Sequence, residues 1–201
     1  GNQLSGGEKA NLKVIKYMGE PSQNDRKTVF NLPPSPNIPD LATAGNYQGL
    51  CLLEGTNLSE GRGTDKPFKV LGAPWIDSIE LLEALTPYLH KNDQVDTVSF
   101  VPHSLPGKAL YPKYKNQVCH GLKIQKLEDP IAWTVHLLAV LDLIYLDKFQ
   151  FLETNFIDKL YGSDTLRLII RGEETASQLT AGWQEDEKIF RKFTSFKNLT
   201  S

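Results

Sequence analysis

The spacing of apolar and polar positions changes several times along this chain, and each change marks an element. Leu12-Lys13-Val14-Ile15-Lys16-Tyr17 alternates as a strand. Pro33, Pro34, Pro36 and Pro39 then exclude helix and predict an extended linker, the candidate domain boundary. Asp40 is placed to cap a short helical turn ending at Ala44, and the run over residues 49–53 predicts a strand. A polar loop over 54–64 follows, and Phe68-Lys69-Val70-Leu71 resumes the strand pattern. Asp77 predicts the cap of a helix that buries Ile79, Leu82, Leu85 and Leu89 on one face. Residues 96–101 and 118–125 read as strands. Asp129-Pro130 opens a helix with proline in its first turn, and residues 131–146 are apolar nearly all round. Short helices are expected from Asn155 and Ser163, and a last one over 175–193 carrying Leu179, Trp183, Ile189 and Phe190. Strands early and helices late predict an α+β fold: a small mixed or antiparallel sheet packed by helices, with a buried helix around residues 130–146.

The loop over 54–64 carries far more polar chemistry than a chain reversal needs. Glu-Gly-Thr-Asn-Leu-Ser-Glu-Gly-Arg-Gly-Thr offers three glycines, three hydroxyls, one amide, two carboxylates and a guanidinium. Fixing such a segment costs conformational entropy and adds little core, so a function is the expected return. Thr56, Asn57, Ser59 and Thr64 supply the mixed donors and acceptors that suit sugar hydroxyls and amides. Arg62 can clamp a carboxylate in a bidentate fork, either a ligand's or that of Glu54 or Glu60. The structural alternative is that Glu60 and Arg62 pair only to hold the loop and that Glu54 only caps a turn. A phosphate cradle is excluded, because the GxxxxGK[ST] spacing is absent and Glu60 would repel phosphate.

Composition narrows the partners further. Lys and Arg number 22 against 24 Asp and Glu, a net charge of −2, so no basic footprint for nucleic acid is present. No apolar run reaches membrane-spanning length, and no signal peptide is visible. Cys51 and Cys119 can pair or stay free, and both sit among apolar neighbours. His90, His103, His120 and His136 lack metal-ligand spacing, so neither a metal nor a cofactor is expected. His136 and Asp142, on the apolar helix, read as satisfied polar groups, and Trp75 as a core anchor or a stacking surface. Lys108-Ala-Leu-Tyr-Pro-Lys-Tyr-Lys115 is either a solvated loop or a sugar platform. In the second case Tyr111 and Tyr114 would stack on pyranose rings and the lysines would attract a carboxylate.

Three stretches taken together resemble one bacterial family: Pro34-Ser35-Pro36-Asn37-Ile38-Pro39, then the segment from Cys51 to Thr64, then Gly72-Ala73-Pro74-Trp75-Ile76-Asp77. Val118-Cys119-His120-Gly121-Leu122, the segment from Phe156 to Asp164, and Trp183 with Phe190-Arg191 fit the same pattern. The family is that of the NamZ-type exo-β-N-acetylmuramidases, and the resemblance runs roughly from Leu12 to Arg191. It implies a two-part protein in which a Rossmann-like N-terminal half carries a Gly-Pro-Glu-His-Gly type motif. No such motif occurs here, so the chain is expected to be the C-terminal part. Residues 1–32 would then close the first half, and residues 33–201 would form the second domain.

The resemblance implies a peptidoglycan glycoside hydrolase that releases terminal β-N-acetylmuramic acid, in a periplasmic or secreted setting. Its expected partners are a glycan or muropeptide and the N-terminal half of the same protein. Glycoside hydrolysis uses two carboxyl groups flanking the bond. Glu60 is the preferred candidate from this chain and Glu54 the second, with Thr56, Asn57, Ser59, Arg62, Thr64, Tyr111 and Tyr114 as substrate-binding candidates. Without the other half, turnover by this chain alone is not expected. The competing class is a non-catalytic glycan-binding or domain-docking module.

Overall fold

The computed structural model describes residues 33–172, with Lys13, Ile15, Trp183, Glu185, Glu187 and Lys188 besides. By internal contact the chain divides into two units, Phe30–Glu174 on one side and Gly1–Val29 with Thr175–Ser201 on the other. The architecture below is that of the first. Of the strand expected over 12–17, only Lys13 and Ile15 are described, and neither is in a strand. The helix expected over 175–193 lies almost wholly outside the described residues; Trp183, Glu185, Glu187 and Lys188 are helical.

The fold is α+β. The described elements run α1 (Leu41–Leu50), a 3-10 turn (Cys51–Gly55), β1 (Val70–Ala73), α2 (Ser78–Leu85) and a second 3-10 turn (Thr86–Tyr88). β2 (Gln94–Phe100), β3 (Cys119–Lys126), α3 (Pro130–Ile144), α4 (Phe156–Tyr161) and α5 (Thr165–Ile170) follow. The three strands form one antiparallel sheet in the order β1-β3-β2, with Leu122 of β3 between Leu71 and Thr97. α1 and α2 contact β3, and both pack on α3.

Asp40 and Asp77, singled out as caps, do cap, and so does Asp129 at the expected helix start. Asp40 accepts from the Thr43 amide at 2.8 Å, Asp77 from Ile79 at 2.9 Å, and Asp129 from Ala132 at 2.9 Å. Each satisfies an amide that a helix start leaves without a partner, worth about 1 kcal/mol. α3 is the central helix, with Trp133, Leu137, Leu138 and Leu141 buried, while Leu143 at its end is exposed. His136 stacks on Tyr88 with ring centroids 4.1 Å apart, and Asp142 meets Arg171 at 2.9 Å. α4 and α5 are clamped by Arg167, which donates to both carboxylate oxygens of Asp158.

Four local expectations are corrected. Residues 49–53 form the end of α1 and a 3-10 turn, not a strand, so the polar loop joins a helical segment to β1. A short apolar run fits a buried helix as well as a strand, and here the helix from Asp40 continues past Ala44 to Leu50. α2 buries Leu81 and Leu85, whereas Ile79 is exposed. The helix stops at Leu85, so Leu89 lies beyond the face it was assigned to. The proline-rich segment is not extended: the Ile38 amide donates to Ser35 O at 2.9 Å and closes a turn. Finally, Phe68 lies outside β1, with a φ of 54°.

α1 meets α3 closely because Gly49 has no side chain. A Cβ there would stand 1.9 Å from the Pro130 carbonyl oxygen, whereas one on Gly45 would meet nothing within 4 Å. Two substitutions in the same helix therefore have opposite signs. Gly45→Ala should raise stability by about 0.5–1 kcal/mol, and Gly49→Ala should lower it by about 1–3 kcal/mol. Urea unfolding measures both, and a neutral Gly49→Ala would contradict this packing.

Candidate functional site

The segment 54–64 is tied down at nearly every residue. At its start, Leu152 N donates to Gly55 O at 2.9 Å, and Asn57 N donates to Gln150 O at 2.9 Å. The Asn57 side chain works both ways, donating to Lys148 O at 2.7 Å and accepting from Gln150 N at 3.0 Å. Thr56 is fully buried; its hydroxyl donates to Leu53 O at 2.9 Å and accepts from Leu58 N at 3.1 Å. Ser59 exchanges backbone bonds with Gly72 at 2.9 and 3.0 Å, which attaches the loop to β1, and its hydroxyl accepts from Gly61 N. Thr64 closes the turn by donating to Gly61 O at 2.7 Å and accepting from Lys66 N at 2.9 Å. Gly61 and Gly63 have φ of 79° and 84°, a left-handed backbone that side chains disfavour.

Inside this frame sit two carboxylates and two cations. Arg62 Nη2 donates to Glu54 Oε2 at 2.8 Å, and its Nε lies 3.6 Å from Glu60 Oε1. Lys113 Nζ donates to Glu60 Oε2, Leu53 O and Leu58 O, each at 2.9 Å. An ammonium has three protons, and all three are used. Glu60 is thus inside the frame, its side chain 7% exposed, while Arg62 reaches solvent at 34%. Burial pushes the Glu54 carboxyl above its ordinary 4.5, opposed by Arg62 and reinforced by Glu60. Burial likewise raises Tyr47, next to Glu54. The Phe68 ring orients the group: Tyr47 meets it edge-on at 4.8 Å, and the Arg62 guanidinium lies 5.4 Å from its centroid.

Glu54, Glu60 and Arg62 are therefore brought together, whereas Thr56, Asn57, Ser59 and Thr64 direct their polar side-chain atoms to backbone groups of this chain. Tyr111 is 90% exposed. Tyr114, with a φ of 53°, accepts from Trp75 Nε1 at 3.1 Å, and Trp75 makes an edge contact with Tyr145. Lys113, one of the three lysines thought available to a ligand, is spent on the loop. A charge count held the signal for it: two carboxylates and one arginine in a segment to be buried call for a second cation. The roles of Tyr47 and Phe68 had no such signal, since both depend on tertiary contact.

Cys51 and Cys119 are free thiols, and burial raises Cys119 to about 11. Among the described residues no group of three or more His, Cys, Asp or Glu is placed to hold a metal.

Residues 46–196 match the family model described as "Exo-beta-N-acetylmuramidase NamZ, C-terminal". The chain is 30% identical over 190 residues to the peptidoglycan β-N-acetylmuramidase NamZ of Bacillus subtilis (strain 168), an alignment that covers 91% of this chain and 44% of that protein. Two crystal structures of DUF1343 family proteins from Bacteroides fragilis NCTC 9343 are also similar. One has a TM-score of 0.59 at 31% identity, covering 81% of this chain and 42% of its own. The other reaches 0.70 at 19% identity, covering 85% and 45%, a likeness of fold. The chain spans less than half the length of each of these proteins.

Two outcomes follow from the geometry. Lys113→Met takes the ammonium from the buried Glu60 carboxylate and from Leu58 O, while Leu53 O keeps its bonds from Thr56, so urea unfolding should show a loss of about 3 kcal/mol. Adding Glu60→Gln should recover part of that loss; a loss under about 1 kcal/mol for Lys113→Met would contradict the arrangement. The second concerns pH. The folded state holds the Glu54 proton more tightly than the unfolded one, so its stabilising contribution is complete below pH 4.5 and is lost as pH rises through the folded pKa. Wild-type stability should fall across that window relative to Glu54→Gln, and parallel pH profiles would contradict the raised pKa.

Proposed function

The chain belongs to the exo-β-N-acetylmuramidase NamZ C-terminal family, and we propose that it is the C-terminal part of a peptidoglycan glycoside hydrolase that releases terminal β-N-acetylmuramic acid. The family match over residues 46–196 carries this reading. Residues 1–32 then close a preceding Rossmann-like half, residues 33–201 form the second domain, and the substrate lies in a cleft between the halves. The setting is periplasmic or secreted, in keeping with a cell-wall substrate; among the described residues no helix is long and apolar enough to cross a membrane.

The loop over 54–64 is the substrate-facing element of this domain, with Glu54 ahead of Glu60 as the contributing carboxylate. A general acid needs a pKa raised towards the working pH and access to the leaving oxygen. Glu54 has the raised pKa and a partly exposed side chain. Glu60 is closed in by Lys113 and Arg62, and so shapes the site. Arg62 and Tyr111 face solvent and are the groups for the sugar or its carboxylate, while Thr56, Asn57, Ser59, Thr64 and Tyr114 hold the surface in shape. A second carboxyl group comes from the N-terminal half.

A glycan-binding or docking module is the second reading. It is favoured by one observation: the polar side-chain atoms of Thr56, Asn57, Ser59 and Thr64 already have partners within the chain.

Turnover of a chromogenic β-N-acetylmuraminide separates the two. The natural full-length protein should be active and residues 1–201 alone inactive. Glu54→Gln in the full-length protein should lower kcat by about 10²-fold or more, with KM changed little. Unchanged kcat in Glu54→Gln would leave the loop as a binding or docking surface, and robust turnover by residues 1–201 would overturn the shared site.

A further inference from the structure

A groove of about 370 Å³ lies at the far end of the same loop, between Pro39 before α1, Asp65 and Lys66, Lys69, and Lys123 and Ile124 of β3. Pro39, which is exposed, gives it an apolar side, Ile124 is buried at its base, and Gln125 stands at its edge. The charged groups around it are not equivalent. Lys69 is already committed, its Nζ 2.6 Å from Asp40 Oδ2. Asp96, opposite Lys123 in the β2–β3 register, accepts from the Gln125 amide at 3.4 Å. Among the described residues, Lys66, Lys123 and Asp65 have no ion-pair partner. The groove therefore presents two uncommitted ammonium groups and one uncommitted carboxylate, with one apolar side.

The geometry points to a binding site for a short peptide segment that carries two carboxylates and one amine. Lys66 and Lys123 take the carboxylates, Asp65 takes the amine, and the aliphatic stem lies against Pro39. The volume is at the small end of ligand sites, about 300–1,000 Å³, which fits a dipeptide-sized segment and not a sugar chain. The site has a position of its own, separate from the Glu54–Arg62 pair, so it stands whether or not the loop takes part in catalysis. Exposed ion pairs contribute modestly, so binding should be weak and sensitive to salt.

The test is an NMR titration of the 201-residue chain with N-acetyl-γ-glutamyl-lysine, which has two carboxylates and one free amine. Saturable shifts at Lys66, Lys123 and Ile124 are expected, weakened by high salt. The Lys66→Gln/Lys123→Gln variant should bind about tenfold more weakly, as expected when two such pairs are lost. Lys126→Gln, outside the groove, should bind as wild type. The bis-amide of the peptide and its Nε-acetylated form should each bind less well than the parent. Glycerol phosphate is the competing anion: if it binds more tightly than the peptide, the site is a phosphate site and the proposal is overturned. Absence of saturable shifts, or equal binding by the double variant, also overturns it. No outcome depends on turnover, so failure here is distinguishable from failure of the glycosidase reading.

Discussion

The Lys113 ammonium, with three oxygens at 2.9 Å, is the contact on which the candidate site depends. Two of those oxygens are backbone carbonyls, Leu53 O at the end of the 3-10 turn and Leu58 O inside the loop, and the third belongs to Glu60. A buried carbonyl or carboxylate without a partner costs about 1–3 kcal/mol or more. A single side chain, reaching across from the 103–118 segment, thus satisfies Leu58 O and Glu60 and adds a third bond to Leu53 O, which Thr56 already serves through its amide and hydroxyl. With Lys113 in place, Glu60 is paired inside the frame and Arg62 is left to bridge outward to Glu54.

The rest of the site builds on that frame. Glu60 O accepts from Phe68 N at 2.8 Å, at a residue whose φ of 54° is costly for a bulky side chain, by about 1–3 kcal/mol. The strain has a geometric return: it points a buried ring between Tyr47 and Arg62, so the guanidinium rests on an aromatic face while it pairs with Glu54. Pairing and access then divide between the two glutamates. The one on the inside is neutralised by a lysine, and the one at the surface keeps a raised pKa. Formal charge at the candidate site sums to zero, and its outward face is the Glu54 carboxyl group, its side chain 18% exposed, beside the Arg62 guanidinium.

Much of this was legible in the sequence where the physics is local. Asp40, Asp77 and Asp129 cap helices because each precedes a helical stretch with a short acceptor side chain, and Pro130 sits where its missing N–H costs nothing. A small mixed or antiparallel sheet was expected, with strands over 96–101 and 118–125, and the pairing is antiparallel; the central helix followed from its apolar run. What failed was decided by tertiary contact. Residues 49–53 have strand-like composition, yet the helix from Asp40 runs on through Gly49, whose missing side chain lets α1 approach Pro130. Ile79 and Leu81 look equally fit for the core, and packing against the sheet and α3 chose Leu81. The loop stands out as a candidate site by its polar density, but its hydroxyls and amide, expected to face a ligand, bond within the chain. Their partners, Leu53 O, Lys148 O, Gln150 N and Gly61 O, are backbone groups that no residue pattern displays.

The central claim is that Lys113 holds the 54–64 loop in one shape before any ligand arrives, and amide hydrogen exchange measures that shape directly. In the wild-type chain the amides of Asn57, Ser59 and Phe68, which donate to Gln150 O, Gly72 O and Glu60 O, should be strongly protected. In Lys113→Met these three amides should lose protection, while those of Leu137 and Leu141 within α3 keep theirs under the same conditions. Equal protection of the loop amides in the two proteins would contradict the account, because the loop would then keep its shape without the ammonium at its centre.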